Sequence, residues 1–167
     1  MKFDLHCHTK EGSVVGSMTE NVTICTAEDL PGLAVIEDAC FSRPLTEGQL
    51  RSLVLSDNTV FLGAREGGRL VGSVWVQTVL DEGYIGNVAV LPAFRRRGIA
   101  DALLQALDGL ANARGLRFLT LEVREGNLAA RRLYEKNGYL PAGFRHGYYS
   151  APKEDAVLMT KEYEHAE

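Results

Sequence analysis

The first residues of the chain contain the heptapeptide FDLHCHT, in which a carboxylate and two imidazoles alternate at Asp4, His6 and His8. In an extended chain, side chains two residues apart point to the same face, so these three groups would lie together. Carboxylate and imidazole are common zinc ligands, and such a cluster can begin a metal site. A metal-dependent hydrolase needs further ligands, and only His146 and His165 remain as histidines. The heptapeptide therefore leaves open weak zinc or nickel binding without catalysis.

A second stretch that could take part in chemistry is NVAVLPAFRRRGIADALL, residues 87–104. A β-rich run is followed there by basic residues and then by a helical pattern. The first turn of a helix leaves backbone N–H groups unpaired, and the helix dipole is positive there. Small residues at Gly98 and Ala100 allow a bulky anion to approach the backbone. The stretch predicts a pyrophosphate-binding loop, although it has neither the Walker sequence nor GxGxxG; a basic loop that only caps a core helix is the alternative. The predicted loop residues are Arg95, Arg96, Arg97, Gly98, Ile99 and Ala100.

The elements that must position this loop begin with a short β-branched strand in ENVTICT, followed by a helix with Thr26 as its N-cap. A second helix is predicted at about residues 46–55, with Thr46 as its cap. Two β-rich runs joined at Glu66-Gly67-Gly68 predict an antiparallel hairpin, and a further strand ends at Pro92.

After Pro92 the apolar residues fall at helical spacing as far as Gly115, and RFLTLEV then alternates as a strand does. NLAARRLYEKNG predicts another helix, and residues 139–149 and 155–163 predict a final pair of strands. A strand, a helix and a strand at this separation imply a right-handed crossover and a parallel pair. The pattern predicts an α/β protein with a mixed sheet, antiparallel at its start and parallel in the middle.

Composition limits the class of protein. The 167 residues, 46% hydrophobic and 24% charged, suit one globular domain. A net charge of −4 argues against binding to nucleic acid or an anionic membrane through the overall field, and it is compatible with a basic peptide as partner. Cys7, Cys25 and Cys40 are odd in number and far apart, which is typical of reduced thiols in a cytoplasmic protein. No apolar run reaches the ~20 residues that span a bilayer.

The N-terminal segment has the composition of a linker. TKEGSVVGS, residues 9–17, is short, polar and rich in small residues, and a second methionine follows at Met18. We therefore predict that residues 1–17 are a leader, fusion scar or misassigned start outside the fold, and that residues 18–167 form the domain.

The loop and the segments after it carry a family resemblance. Arg95-x-x-Gly98-x-Ala100, between a strand and a helix, resembles the R/Q-x-x-G-x-G/A signature of the GCN5-related N-acetyltransferases (GNAT). From Glu20 to Tyr163, the segments LEVREGNLAARRLYEKNGY, RHGYY and EDAVLM most resemble the RimI type, the ribosomal-protein-alanine N-acetyltransferases. The resemblance implies a GNAT fold: a mixed sheet of about six to seven strands, flanked by about four helices and splayed between two central parallel strands.

The resemblance also implies acetyl-coenzyme A (acetyl-CoA) as the donor, with its pyrophosphate on the loop amides. The pantetheine arm is expected between the strand of Val88 to Val90 and the strand of Phe118 to Val123. A backbone N–H near Val90, freed by a bulge, would hold the thioester oxygen. Asn127 matches a cofactor-contacting asparagine, and it equally suits the N-cap of the following helix.

Two residues are implied to move protons. Glu122 matches the position of the RimI-type general base; the alternative is a strand-end carboxylate paired with Arg124 or Arg132. Tyr134, seven residues beyond Asn127 on the same helix face, matches the general acid that protonates the departing thiolate. The same tyrosine could also pack in the core.

The acceptor is implied to be the N-terminal α-amino group of a protein, with a ribosomal protein as the leading substrate and direct transfer in a ternary complex. Tyr148 and Tyr149 match a tyrosine pair that lines the peptide entrance, although exposed strand aromatics are the simpler interpretation. Glu154 to Ala156 matches the EDA motif, whose acidic groups would suit a basic peptide. RimI-type proteins usually carry a proline-tryptophan pair after the first helix, where this chain has CFSRPLTEGQ.

Three alternatives stay open at this point. The same scaffold could acetylate lysine or small-molecule amines, or it could be a non-catalytic acyl-CoA sensor. FDLHCHT resembles the first motif of the polymerase and histidinol phosphatase family of metal-dependent phosphoesterases, which makes that activity a distant alternative.

Overall fold

The computed structural model describes residues 21–165. The predicted leader, and with it Asp4, His6 and His8, lies outside the described residues. The strands are β1 Val22–Ile24, β2 Thr59–Glu66, β3 Arg69–Val79, β4 Glu82–Val90, β5 Phe118–Arg124, β6 Leu140–Ser150 and β7 Lys153–Glu162. The α-helices are α1 Leu30–Cys40, α2 Glu47–Leu55, α3 Ile99–Arg114 and α4 Leu128–Lys136, and short 3-10 turns span Ala27–Asp29 and Pro92–Phe94.

The strands form one seven-stranded sheet in the order β1-β2-β3-β4-β5-β7-β6. Neighbouring strands are antiparallel except β4 and β5, which are parallel. The β4–β5 ladder covers only three residue pairs, from Glu82↔Phe118 to Tyr84↔Thr120. The strands separate beyond that point, so the mixed sheet and its central splay are confirmed.

The bulge in β4 lies at Gly86 and Asn87, ahead of the Val90 amide that a bulge was expected to free. The register with β3 shifts between Val74 and Val76, where Gly86 and Asn87 both oppose Trp75. A Cβ at position 86 would overlap the Trp75 indole, which explains the glycine. The expected bulge is therefore present, three to four residues before Val90, and an indole from the neighbouring strand sets its position.

The bulge determines which backbone amides of β4 face the gap between β4 and β5. The Leu91 N–H donates to the Val71 carbonyl at 2.8 Å, so Leu91 points toward β3. Because successive residues of a strand point alternately to its two neighbours, the N–H groups of Val90 and Val88 point toward β5. The ladder to β5 has already ended at Tyr84, so these amides face the gap between the strands.

Helix ends follow local sequence signals. Thr26 and Asp29 form a capping box over the 3-10 turn that leads into α1, and Thr46 forms another with Gln49 at the start of α2. The helix α3 differs, because Gly98 occupies its N-cap without a side-chain hydrogen bond to the first turn. Gly115 ends the same helix in the left-handed conformation.

Two apolar cores hold the sheet between helices. The larger core packs α3 against one face, and the smaller packs α1 and α2 against the other. Each fully buried leucine contributes roughly 1.5–3 kcal/mol, so many such residues fix the sheet from both sides. Fully buried helix residues include Leu103, Leu104 and Leu107 in the first core and Leu33, Ile36 and Leu50 in the second. No helix within residues 21–165 is both long and apolar enough to cross a membrane.

Candidate active site

The gap between β4 and β5 opens into two adjoining cavities. The first, the loop cavity, has a volume of about 620 Å³ and lies against residues 94–96 and 98–101. The second, the tyrosine cavity, measures about 650 Å³ and lies against Glu122, Tyr148 and Tyr149. Because the two cavities share part of their walls, they form one continuous cleft. The shared residues are Cys40, Phe41, Val88, Asn127, Ala130 and Tyr134.

The loop before α3 exposes backbone amides to the loop cavity. Arg96 and Gly98 have positive φ angles of 61° and 78°, which turn the chain sharply into the helix. The first intrahelical bond runs from the Ala102 N–H to the Gly98 carbonyl at 3.0 Å, so the amides before Ala102 have no partner within the helix. Ile99 and Ala100 line the cavity at this point. The arrangement suits an anion, as the sequence predicted.

The three predicted arginines have different surroundings. Arg95 and Arg96 line the loop cavity. Arg95 also turns inward, and its Nε donates to the Val90 carbonyl at 2.9 Å. Arg97 instead stacks over the Phe94 ring at 5.1 Å and lies 3.4 Å from a Glu66 carboxylate oxygen. The side chains of Arg95 and Arg96 are therefore the ones placed to meet an anion.

Glu122 lies on β5 with its carboxylate toward the tyrosine cavity and a side chain that is 30% exposed. Its Oε1 is 3.2 Å from the Nε of Arg145 on β6. The alternative partners considered from sequence were wrong. Arg124 is held by Glu154 at 3.2 Å and by the carbonyls of residues 151 and 152, so it does not pair with Glu122. The cavity therefore contains a carboxylate steadied by one guanidinium.

Tyr134 occupies the junction of the two cavities and lines both. It is 9% exposed, and its ring packs edge-on against Tyr139 at 6.0 Å between centroids. Burial raises the pKa of Tyr134 to about 12, so its hydroxyl stays protonated at neutral pH. The core-packing interpretation is thus correct, and the same side chain is also placed to donate a proton into the cleft.

Asn127 is the N-cap of α4, since its Oδ1 accepts from the Ala130 N–H at 3.2 Å. It also lines both cavities. The two interpretations of this asparagine are therefore compatible in space.

Tyr148 and Tyr149 both line the tyrosine cavity, and their rings meet edge-on at 5.0 Å. The Arg124 guanidinium lies 4.2 Å from the Tyr149 ring centroid. Tyr149 is thereby fixed, whereas Tyr148 is about half exposed. These aromatics form a wall of the cavity and are not only surface residues of an edge strand.

The acidic residues of the EDA motif serve the backbone and neighbouring cations. Glu154 accepts from the Gly126 N–H at 2.7 Å and pairs with Arg124. Asp155 accepts from the Gly147 N–H at 2.7 Å and lies 2.9 Å from His146. The hydrogen bond and His146 together hold the pKa of Asp155 below its usual value. These carboxylates brace β6 and leave little free negative charge for a basic peptide.

No residue of α1 or of the loop after it was among the predicted site residues, although CFSRPLTEGQ was noted as a departure from the RimI type. Cys40 and Phe41 line both cavities, and Ser42 and Arg43 line the tyrosine cavity. The Cys40 thiol donates to the Val90 carbonyl at 3.4 Å, which ties the end of α1 to β4. Within residues 21–165, no group of three or more His, Cys, Asp or Glu side chains could hold a metal ion.

Comparison with known proteins gives the class of this site. The model of the acetyltransferase (GNAT) family matches residues 30–139. The chain belongs to the GNAT family; it is an acetyltransferase, and its acetyl donor is acetyl-CoA. The uncapped amides before Ala102, beside Arg95 and Arg96, fit the pyrophosphate of that donor.

Individual relatives show which type of acetyltransferase the chain resembles. The ribosomal protein bS18-alanine N-acetyltransferase of Haemophilus ducreyi is 35% identical over 137 residues, covering 79% of this chain and 92% of the relative. The crystal structure of the ribosomal-protein-S18-alanine N-acetyltransferase from Escherichia coli superposes with a TM-score of 0.82 at 32% identity, covering 87% and 95% of the two chains. Arabidopsis thaliana NAA60 in complex with acetyl-CoA has the same fold, with a TM-score of 0.78 at 22% identity and coverage of 85% and 98%. The RimI-type resemblance is confirmed.

We expect Gly98→Ala to weaken acetyl-CoA binding about tenfold, because alanine at a φ of 78° costs roughly 1–2 kcal/mol in the left-handed region. No atom lies within 4 Å of the added Cβ, so the effect comes from the backbone alone. Calorimetric titration with CoA measures the change. Gly48→Ala in α2, also in open space, is the matched control and should leave CoA affinity unchanged. Equal affinity of both variants would contradict the loop assignment.

Proposed function

We propose that the protein transfers the acetyl group of acetyl-CoA to the α-amino group at the N-terminus of a protein, with an N-terminal alanine of a ribosomal protein as the first candidate acceptor. Its relatives in Haemophilus ducreyi and Escherichia coli are named for that reaction on bS18. The observation that carries the proposal is that Glu122 and Tyr134 both line the tyrosine cavity. Tyr134 lies at the junction of that cavity with the loop cavity.

The chain would hold the donor with groups already in place. The amides of residues 98–101 and the side chains of Arg95 and Arg96 would bind its pyrophosphate. The outward N–H groups of Val88 and Val90 would orient the thioester oxygen, and Asn127 would contact the pantetheine arm. When bound, acetyl-CoA supplies an acetyl thioester whose carbonyl carbon a neutral amine can attack.

Glu122 would accept the proton of the attacking amine, directly or through one water molecule. An α-amino group with a pKa of roughly 8 is about 10% neutral at pH 7, against about 0.04% for lysine with a pKa of about 10.4. An α-amine therefore requires less of Glu122 as a base than a lysine side chain does. Tyr134 would donate its phenolic proton to the departing thiolate, since its raised pKa keeps that proton in place.

The tyrosine cavity would receive the acceptor. Tyr148 and Tyr149 form one side, and Phe41 and Arg43 line another. Glu122 is the one carboxylate that lines this cavity among residues 21–165, and two arginines, Arg43 and Arg124, line it as well. The cavity therefore favours a single ammonium group at Glu122, with the chain beyond it packed against aromatic rings.

A thiol-release assay tests the proposal. One peptide begins with a free N-terminal alanine, and the second has the same sequence with a blocked N-terminus and an internal lysine. Turnover of the free peptide alone would support the proposed function. Equal turnover of both peptides, or of neither, would overturn the α-amine assignment and point to lysine, to small amines or to binding without transfer.

The pH dependence of kcat/KM provides a second test. We expect the rate to rise with pH as the peptide amine becomes neutral, and to level off above the amine pKa of about 8. The raised pKa of Tyr134, about 12, lies above the working range, so this acid stays protonated and produces no falling limb below pH 10. A fall centred below pH 10 that disappears in Tyr134→Phe would show that Tyr134 titrates within the working range and would contradict its raised pKa.

A further inference from the structure

Glu37 is a buried carboxylate that the proposed reaction does not use. It lies on α1 beside Ile36, in the apolar core under the sheet, and is 4% exposed. Carboxylates are seldom buried to this extent unless other groups satisfy them, because leaving water is costly for an acidic group. A position of this kind therefore requires specific partners.

The partners of Glu37 come from two separate segments. Its Oε2 accepts from the Leu45 N–H at 2.9 Å, across the loop that joins α1 to α2. The Asn87 side chain, in the β4 bulge, also interacts with the carboxylate and lowers its pKa. Burial raises the pKa of Glu37, and the hydrogen bond from Leu45 and the Asn87 side chain oppose the rise. One side chain thus connects the α1–α2 loop to the bulged strand.

Both segments are walls of the tyrosine cavity. Phe41, Ser42 and Arg43 line it from the α1–α2 loop, and Gly86 and Asn87 line it from β4. Glu37 lies behind these walls and does not line either cavity. Its contacts with Leu45 and Asn87 therefore set the distance between the walls, while the Glu37 side chain itself does not contact a molecule bound there.

We propose that Glu37 is a positioning residue for the acceptor: it holds the α1–α2 loop against the β4 bulge and so fixes the shape of the tyrosine cavity. The inference deepens the proposed function and rests on it for the nature of the acceptor. It assigns Glu37 no part in proton transfer or in donor binding, because the loop cavity is built from other residues.

Substitutions of Glu37 can separate the role of its contacts from the role of its charge. Among residues 21–165, Glu37 forms no ion pair, so its charge has no cationic partner to satisfy. Glu37→Gln keeps a carbonyl oxygen for Leu45 and an amide that can bond to the Asn87 side chain. Glu37→Ala removes both contacts and leaves the Leu45 N–H without its partner.

Steady-state kinetics with the free N-terminal alanine peptide should separate the variants. We expect Glu37→Ala to raise the acceptor KM by about tenfold or more, the usual consequence of losing such bonds. Its dissociation constant for CoA should stay within about twofold, and Glu37→Gln should restore the acceptor KM to within about threefold of wild type. If Glu37→Ala does not fold, Asn87→Ala removes only the contact of Glu37 with the bulge and should raise the acceptor KM in the same direction.

Asp108→Ala is the matched control. Asp108 on α3 accepts from Lys161 at 2.7 Å and also bonds to Tyr163, and it lines neither cavity. Its loss should lower the melting temperature without changing the acceptor KM. A rise in acceptor KM in Asp108→Ala equal to that in Glu37→Ala would overturn the positioning role, since both would then reflect general stability.

Hydrogen exchange gives a readout that does not need turnover. In Glu37→Ala, amides of residues 41–46 and 84–90 should exchange faster, and those of the loop before α3 should not. If wild type acetylates no peptide, the proposed acceptor is wrong and this exchange pattern still decides the inference. Unchanged exchange at both walls, or an unchanged acceptor KM beside an active wild type, would overturn it.

Discussion

Glu122→Gln is expected to lower kcat by about 10²- to 10⁴-fold while leaving CoA binding nearly unchanged. The amide has the size of the carboxylate but cannot accept the proton of the amine. Arg145, 3.2 Å from the native carboxylate, keeps a carbonyl oxygen as its partner, so the strands around it should stay in register. Stopped-time assays of thiol release, with calorimetry for CoA, measure both quantities.

A matched carboxylate tests whether the loss belongs to the cleft. Glu82 also pairs with an arginine, Arg117 at 3.1 Å, but it lines neither cavity. Glu82→Gln should therefore keep wild-type kcat. A higher pH should partly restore the rate of Glu122→Gln, because more of the amine is already neutral. A wild-type kcat in Glu122→Gln would remove Glu122 from the reaction.

Tyr134→Phe is expected to lower kcat by about 10²-fold, at the low end of proton-transfer contributions because a thiolate is already a fair leaving group. The phenylalanine ring keeps the packing against Tyr139, so the melting temperature should change little. The variant removes only the hydroxyl at the junction of the two cavities.

Tyr139→Phe is the control for Tyr134→Phe. Tyr139 is fully buried, packs on Tyr134 and lines neither cavity, so its hydroxyl should have no effect on kcat. Equal kcat losses in the two variants would mean that packing, and not proton donation, explains the result. An unchanged kcat in Tyr134→Phe would show that solvent, and not Tyr134, protonates the thiolate.

The elements were predictable because their signals are local. The alternation of Leu119, Leu121 and Val123 in RFLTLEV identified β5, and Glu66-Gly67-Gly68 identified the turn of the hairpin. The loop before α3 was also predictable, since its basic run and its glycine lie next to each other in the chain. The positive φ of Gly98 adds the backbone reason for that glycine.

The parts of the site that escaped prediction depend on contacts across strands. The bulge at Gly86 and Asn87 is set by Trp75 on a neighbouring strand, and nothing within β4 marks its position. Arg145 meets Glu122 across β7, which lies between their strands, so distance along the chain misled the choice of partner. Nothing in the sequence around Glu37 distinguishes it from an exposed helix carboxylate, because its contacts come from the following loop and from the β4 bulge.

A crystal structure with a bisubstrate analogue, CoA joined through an acetyl bridge to the α-amine of an alanine-initiated peptide, tests the central claim most directly. We predict the pyrophosphate on the amides of residues 98–101 and the bridge beside the outward amides of Val88 and Val90. The bridging nitrogen should lie within reach of Glu122 and Tyr134, and the peptide should fill the tyrosine cavity. A peptide that leaves the bridge by another route, with the tyrosine cavity unfilled, would contradict the account.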